Sequence, residues 1–257
     1  MAPSIHIPLA EIVAACNDEL QIATIPDYPN ALNGLQLANR SGQVSRIVTA
    51  VDACLPVIRR AVQEKAQLLI VHHGLFWSGL QRFDGAPFEK LRLAIENDLA
   101  IYSVHIPLDV HPLLGNNARL ADALGLLNVR PFFAWKGIQL GLRASVDLSR
   151  DTLATRLSTA LGGPVHLCPG GPENIREIGI VTGGAGSEIA QAAAEGVDAF
   201  ITGEGPHWSY TLAEELGVNL FFGGHYATET FGVRALAAWI ESRTGLPHHF
   251  IDHPTGL

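Results

Sequence analysis

Three short apolar runs, at residues 46–52, 67–73 and 99–104, alternate with stretches of helical spacing, and this rhythm restricts the fold more than any other feature of the chain. Brief runs rich in Val, Ile and Leu are what strands buried on both faces look like. Strand, helix, strand in succession favours parallel pairing with a right-handed crossover. Sites in such sheets gather at the carboxyl ends of the strands. The middle run, Leu68-Leu69-Ile70-Val71-His72-His73-Gly74, ends there in two adjacent histidines. Neighbouring side chains on a regular strand point to opposite faces. Both histidines serve one site only where the strand is ending, and Gly74 permits such a bend. Otherwise each serves a different atom of a small cluster, or one is a core histidine and the other a surface one.

Taken in order, residues 8–20 have helical spacing, with Leu9, Ile12, Val13, Cys16 and Leu20 on one face. The Pro- and Asn-rich stretch 25–37 reads as a turn. Residues 55–65 form a helix with Pro56 in its first turn. Residues 75–88 form a loop with exposed-looking aromatics, and 89–98 a second helix. The third strand leads into His105-Ile106-Pro107-Leu108-Asp109-Val110-His111-Pro112, where two prolines exclude a regular helix and leave His105 and Asp109 on a stiff loop. A helix over 116–126 follows.

From about Val129 the texture changes. Pro131 to Gly137 reads as an aromatic linker, followed by a strand within 138–148. Residues 149–161 read as a helix with Ser149 as N-cap and Gly162-Gly163 as its stop. Strands are expected at 165–168, 176–182, 197–202 and 218–222. The loop Gly183-Gly184-Ala185-Gly186 fits either an anion held on backbone N–H groups or, the preferred reading, tight helix–strand packing. Thr202-Gly203-Glu204 and His207 lie just past one strand, Gly223 to Glu229 past another, with a helix running on to 243. His225 and Glu229 are four apart and share a helix face. The tail histidines His248, His249 and His253 read as bystanders to an edge strand.

Composition narrows the function. Hydrophobic residues make up 47% and charged residues 16% of 257, which places the chain among globular proteins. A net charge of −8 with no Lys/Arg run disfavours nucleic acid as a main partner. Cys16, Cys54 and Cys168 form no CxxC, so neither a disulfide framework nor a thiolate zinc site is expected, and a reducing cytoplasm fits. The start, MAPSIHIPLAEIV, shows no basic region ahead of a long apolar run, so no signal peptide is expected, and no run approaches the roughly 18 residues of a membrane span. The 11 histidines against 17 Lys plus Arg ask for an explanation.

Three strand ends deliver His72 with His73, His105 with Asp109, and His225 with Glu229. Imidazole and carboxylate without thiolate is a ligand set for Zn, Fe, Mn or Ni. Five or six such ligands exceed one tetrahedral ion, whereas two bridged ions use them naturally. Two carboxylates against two divalent cations leave a positive site. It would hold a metal-activated hydroxide and attract a small anionic substrate.

The motifs Asn33 to Leu37 (NGLQL), Val71 to Trp77 (VHHGLFW), residues 105–121 (HIPLDVHPLLGNNARLA), Thr182 to Gly184, residues 197–204 (VDAFITGE) and 223–229 (GGHYATE) resemble the Nif-three-like dinuclear metal centre family, also known as the GTP cyclohydrolase 1 type 2 family. The resemblance covers nearly the whole chain. It implies two divalent ions per chain on His72, His73, Asp109, His225 and Glu229. His105 would lie beside them as a base or an extra ligand. Glu204 and His207 would line the same cavity, with His105 or Glu204 moving protons and His207 and Thr202 contacting substrate. It implies two α/β domains with mixed, largely parallel sheets flanked by helices. The second, 129–217, would be inserted into a metal-binding domain of 1–128 and 218–257. It also implies a ring-shaped homohexamer. Two functional classes follow: a metal-dependent hydrolase of a nucleotide or small phosphorylated molecule, attacking C8 of the purine if that molecule is GTP, or a non-catalytic metal-binding assembly or regulatory protein.

Overall fold

Every residue of the strand Leu68–His73 is buried, as a central strand covered on both faces must be. It pairs in parallel with Ile47–Asp52 on one side and Ala100–Ser103 on the other. His248–Phe250 adds in parallel beyond Ile47–Asp52, and Gly34–Leu37 closes the opposite edge antiparallel, giving a five-stranded sheet. The computed structural model describes residues 5–79 and 81–257. Residues 1–4, where the N-terminal reading begins, and Leu80, within the aromatic loop, lie outside the described residues.

The helices Leu55–Gln63 and Gly85–Glu96 lay Val57, Ile58, Ala61 and Ala94 against Val48, Leu69, Val71 and Ile101. Burying each such aliphatic side chain stabilises the fold by about 1.5–3 kcal/mol. The helix Leu9–Glu19 buries Leu9, Ile12 and Cys16, and its Asn17 accepts a 3.0 Å hydrogen bond from the Tyr102 hydroxyl on the strand Ala100–Ser103.

A second sheet has six strands, in the order Arg130–Trp135, Ile138–Ser149, Asn174–Ile180, Ala199–Thr202, Asn219–Phe222 and His166–Pro169. Its middle pairings are parallel and its outer ones antiparallel. Ile201 and Phe221 face a core with Leu153 and Leu157, while Phe200 and Leu220 face another with Ile189 and Ala213, so both faces are covered. Both units are α/β with mixed sheets flanked by helices, as expected.

Packing divides the chain into one unit of the residues up to Leu108 with Gly232–His253, and another of Asp109–Phe231 with Pro254–Leu257. The sequence reading draws the boundaries instead at 128/129 and 217/218. The difference has two causes. Leu120, Ala121 and Leu124 pack into the second core, and Asn219–Phe222 hydrogen-bonds along Ala199–Thr202. The second boundary also falls inside the helix His225–Thr244, where sequence texture gives no sign of it.

Two local expectations are corrected. Residues 131–137 are no linker: Arg130–Trp135 forms a hairpin with Ile138–Ser149, and Phe132 and Phe133 are buried, Phe133 stacked on Phe200 at 6.0 Å. The segment after His105 is not wholly a loop, since Ile106–Asp109 makes one helical turn. Pro107 sits in that first turn, where a missing N–H costs nothing. Ser149 does cap the helix Arg150–Leu161, its hydroxyl accepting the Thr152 N–H at 3.1 Å. No helix among the described residues is long and apolar enough to cross a membrane.

Candidate metal centre

Three imidazoles of the first unit converge, and each is anchored through the same ring atom. His72 Nδ1 donates to the Val104 carbonyl at 2.9 Å, so the end of the neighbouring strand fixes that ring. His73 lies opposite Asp52 in the parallel ladder, and its Nδ1 meets Asp52 Oδ1 at 2.9 Å. His105 Nδ1 meets Asp27 Oδ1 at 2.8 Å. A carbonyl or a carboxylate can only accept, so Nδ1 carries the hydrogen in all three, which leaves Nε2 as the ring nitrogen through which each could bind a metal. One ring nitrogen from each lies within 4.8 Å of the others, and the His72 and His73 ring centroids are 4.9 Å apart. The adjacent histidines therefore do serve one cluster, at the last residues of the strand.

Gly74 packs closely there. A Cβ at that position would overlap the Gln36 amide, whose Oε1 accepts the Leu75 N–H at 2.7 Å. Trp77 stacks on His73 at 4.7 Å and 27°, and its ring centroid is 4.4 Å from that of His105.

Asp27, which lies in the Pro- and Asn-rich stretch 25–37, organises this side of the cluster. Its Oδ2 accepts from Ile106 N–H at 2.9 Å and Asn33 Nδ2 at 2.8 Å, and Asn33 Oδ1 accepts the His105 N–H at 2.8 Å. Burial pushes its carboxyl up, but the hydrogen bond and charge of His105, with Asn33 and the Tyr28 N–H, more than reverse that and hold it below the usual carboxylate range.

The second unit holds a matching group. His225 Nδ1 meets Glu204 Oε1 at 2.8 Å, and its Nε2 lies 3.2 Å from Glu229 Oε1 one helical turn on. Burial pushes His225 down, but Glu229 and then Glu204 outweigh it and bring its pKa up to about 9. Behind them runs the glycine loop. Gly183 has φ +75°, and a Cβ on it would overlap Glu229 Oε1. The Gly183 carbonyl accepts from Gly203 N–H, Glu204 N–H and the Thr202 hydroxyl. Asp109 is buried, its Oδ1 accepting from Asn116 Nδ2 at 2.7 Å.

The expected residues thus fall into two groups: His72, His73 and His105 in one unit, His225, Glu229 and Glu204 in the other, with Asp109 held by Asn116 in that second unit. Thr202 is wholly buried, and its hydroxyl also accepts the Ala185 N–H at 3.1 Å. Those bonds close the glycine loop. His207 joins neither group and is exposed at the start of the helix Trp208–Leu216. Asp27, Asn33, Asp52 and Asn116 escape the sequence reading. Asp52 has a signal there as the last residue of the run beside His73, and Asn33 and Asn116 lie within motifs of the family resemblance without a role being assigned to them.

The donor set fits a divalent transition ion. Neutral imidazoles, each oriented through its second nitrogen by an oxygen, are the arrangement metal-binding histidines use. In the second unit, His225 with the carboxylates of Glu229 and Asp109, again without thiolate, offers nitrogen and oxygen donors of the kind such ions take.

A family model described as Duf34/NIF3 (NGG1p interacting factor 3) matches residues 7–255. The GTP cyclohydrolase 1 type 2 homolog of Deinococcus radiodurans is 41% identical over 249 residues, covering 96% of this chain and 94% of its own. That of Halobacterium salinarum is 40% identical over 254 residues, covering 97% and 99%. The crystal structure of TTHA1606 from Thermus thermophilus superposes with a TM-score of 0.90 at 36% identity, covering 98% of this chain and 100% of its own. With the model match running through the strand that carries His72 and His73 and the helix that carries His225 and Glu229, the chain belongs to the Duf34/NIF3 family.

Proposed function

We propose that this chain binds two divalent ions, of Zn, Fe, Mn or Ni, through His72, His73, Asp109, His225 and Glu229, and hydrolyses a nucleotide or a small phosphorylated molecule. The observation that carries the reading is the anchoring of His72, His73 and His105 by Nδ1 together with the gathering of one ring nitrogen from each within 4.8 Å. The shared name of the relatives, GTP cyclohydrolase 1 type 2 homolog, supports a nucleotide as substrate. When bound, two such ions supply hydroxide near neutral pH and Lewis acidity toward a phosphate or purine oxygen.

The chain's own groups do the rest. Asp27 fixes the His105 ring, so that His105 Nε2 takes and returns a proton at one position. Glu204 orients His225, and Asn116 orients Asp109. As the alternative to His105, Glu204 would move that proton, while its Oε1 meets His225 Nδ1 at 2.8 Å. The assembly proposed with this activity is a ring-shaped homohexamer.

The test is metal analysis joined to a turnover screen over phosphoesters, nucleotides and GTP, with Glu229→Ala as blank. The wild type should hold about two ions per chain and turn over part of the panel. Glu229→Ala should keep the fold and lose both. Full metal content with no turnover would favour a non-catalytic metal-binding assembly or regulatory protein, and a wild type that takes up no metal would refute the centre itself.

A further inference from the structure

Tyr28 stands at the edge of the three-histidine cluster and is 45% exposed, although its neighbours Asp27 and His105 are buried. Its backbone is stiff. It lies between Pro26 and Pro29, in the extended conformation that a residue before proline prefers, with φ −78° and ψ 141°. Its N–H donates to Asp27 Oδ1 at 2.6 Å, the same carboxylate that holds His105. Trp77 is fixed to this loop as well, since Asn30 Nδ2 donates to its carbonyl at 2.5 Å. The Tyr28 and Trp77 rings meet at 85° with centroids 6.4 Å apart, and the Tyr28 centroid is 6.1 Å from that of His105. Two ring planes therefore form a rigid corner beside an oriented imidazole.

Core packing does not account for that corner, because Tyr28 leaves nearly half its surface in water. A fixed aromatic face beside a reactive polar group suits a planar heteroaromatic ring, which gains by stacking whatever its hydrogen-bonding edge. We propose that Tyr28, walled by Trp77, is the platform on which the base of a nucleotide stacks, setting the base next to His105. This rests on the reading of the histidine cluster as a site facing substrate, and it adds that the ligand carries a purine-like or pyrimidine-like ring. Because stacking is tolerant of base identity, affinity should differ little among nucleotides and fall sharply when the base is absent.

Equilibrium dialysis of the metal-loaded chain against GTP, ATP, UTP and inorganic tripolyphosphate tests this. Tyr28→Ala should weaken the three nucleotides by about tenfold or more and leave tripolyphosphate unchanged. Tyr28→Phe, which keeps the ring, should bind them as the wild type does. The platform is overturned if Tyr28→Ala binds nucleotides like the wild type, if tripolyphosphate loses affinity equally, or if the wild type binds none of the three. Metal content, read on the same samples, separates the two ideas. A wild type that stays metal-free defeats the proposed centre, whereas full metal content with nucleotide affinity indifferent to residue 28 defeats only the platform.

Discussion

At the scale of single residues, the chemistry is set by what each histidine is tied to. His225 is held between two carboxylates, and their pull overcomes burial to bring its pKa up to about 9. In metal-free protein the charged ring is therefore the neutral-pH form. That raised pKa contributes stability fully present below the ordinary histidine value and lost as pH rises through about 9. Metal binding at Nε2 must displace the same proton. Affinity measured by competition with a chelator should accordingly rise by up to about tenfold per pH unit between neutrality and pH 9 from this group alone. Glu204→Gln removes one of the two carboxylates and should flatten that slope, the His225 ring then losing its proton at lower pH. An unchanged slope would mean that His225 is not the group releasing the proton.

At the scale of elements, the glycine loop shows how a carboxylate on a helix is backed by a segment far from it in the chain. Glu229 lies on the first turns of the helix His225–Thr244, and Gly183 backs onto its carboxylate with no room for a side chain. Gly183→Ala faces both a positive φ and this overlap. It should cost about 1–3 kcal/mol of stability in chemical denaturation and weaken metal uptake by displacing Glu229. Loss of stability with metal affinity intact would show that the loop shapes the fold and not the ligand. Much of this level is legible from sequence. The runs ending in His72-His73 and at Thr202, and the i,i+4 pair His225/Glu229, announce themselves by burial pattern and spacing. What is not legible is what crosses between elements. Asp27 looks like a turn residue until His105, 78 positions later, is placed on it. Phe132 and Phe133 look like a linker because Pro131 and the turn at Lys136-Gly137 mask a hairpin. The second unit's reach back to Asp109 depends on Leu120 and Leu124 finding a core far along the chain.

At the scale of the whole molecule, the proposed homohexamer can be tested on the exposed apolar side chains. Leu113 and Leu127 are 69% and 76% exposed, with Val129 at 40%, in the second unit, and Phe88 and Ile95 are exposed one heptad apart on the helix Gly85–Glu96 of the first. Exposed apolar groups are ordinary singly, and these are the side chains that the proposed assembly could cover. A net charge of −8 keeps nucleic acid an unfavourable cover, while a closed ring of identical chains buries such groups with no edge left over. For the proposed homohexamer, light scattering should give a mass of about 165 kDa, six times the 27.5 kDa chain. Leu127→Glu places a carboxylate on the most exposed of these apolar side chains. It should shift the population to smaller species while leaving the monomer's helical circular dichroism unchanged, since Leu127 contributes little to either core. A wild type that scatters as a 27.5 kDa monomer would refute the ring. An intact hexamer in Leu127→Glu would place the contact elsewhere, and Ile95→Glu on the other unit would be the next surface to test.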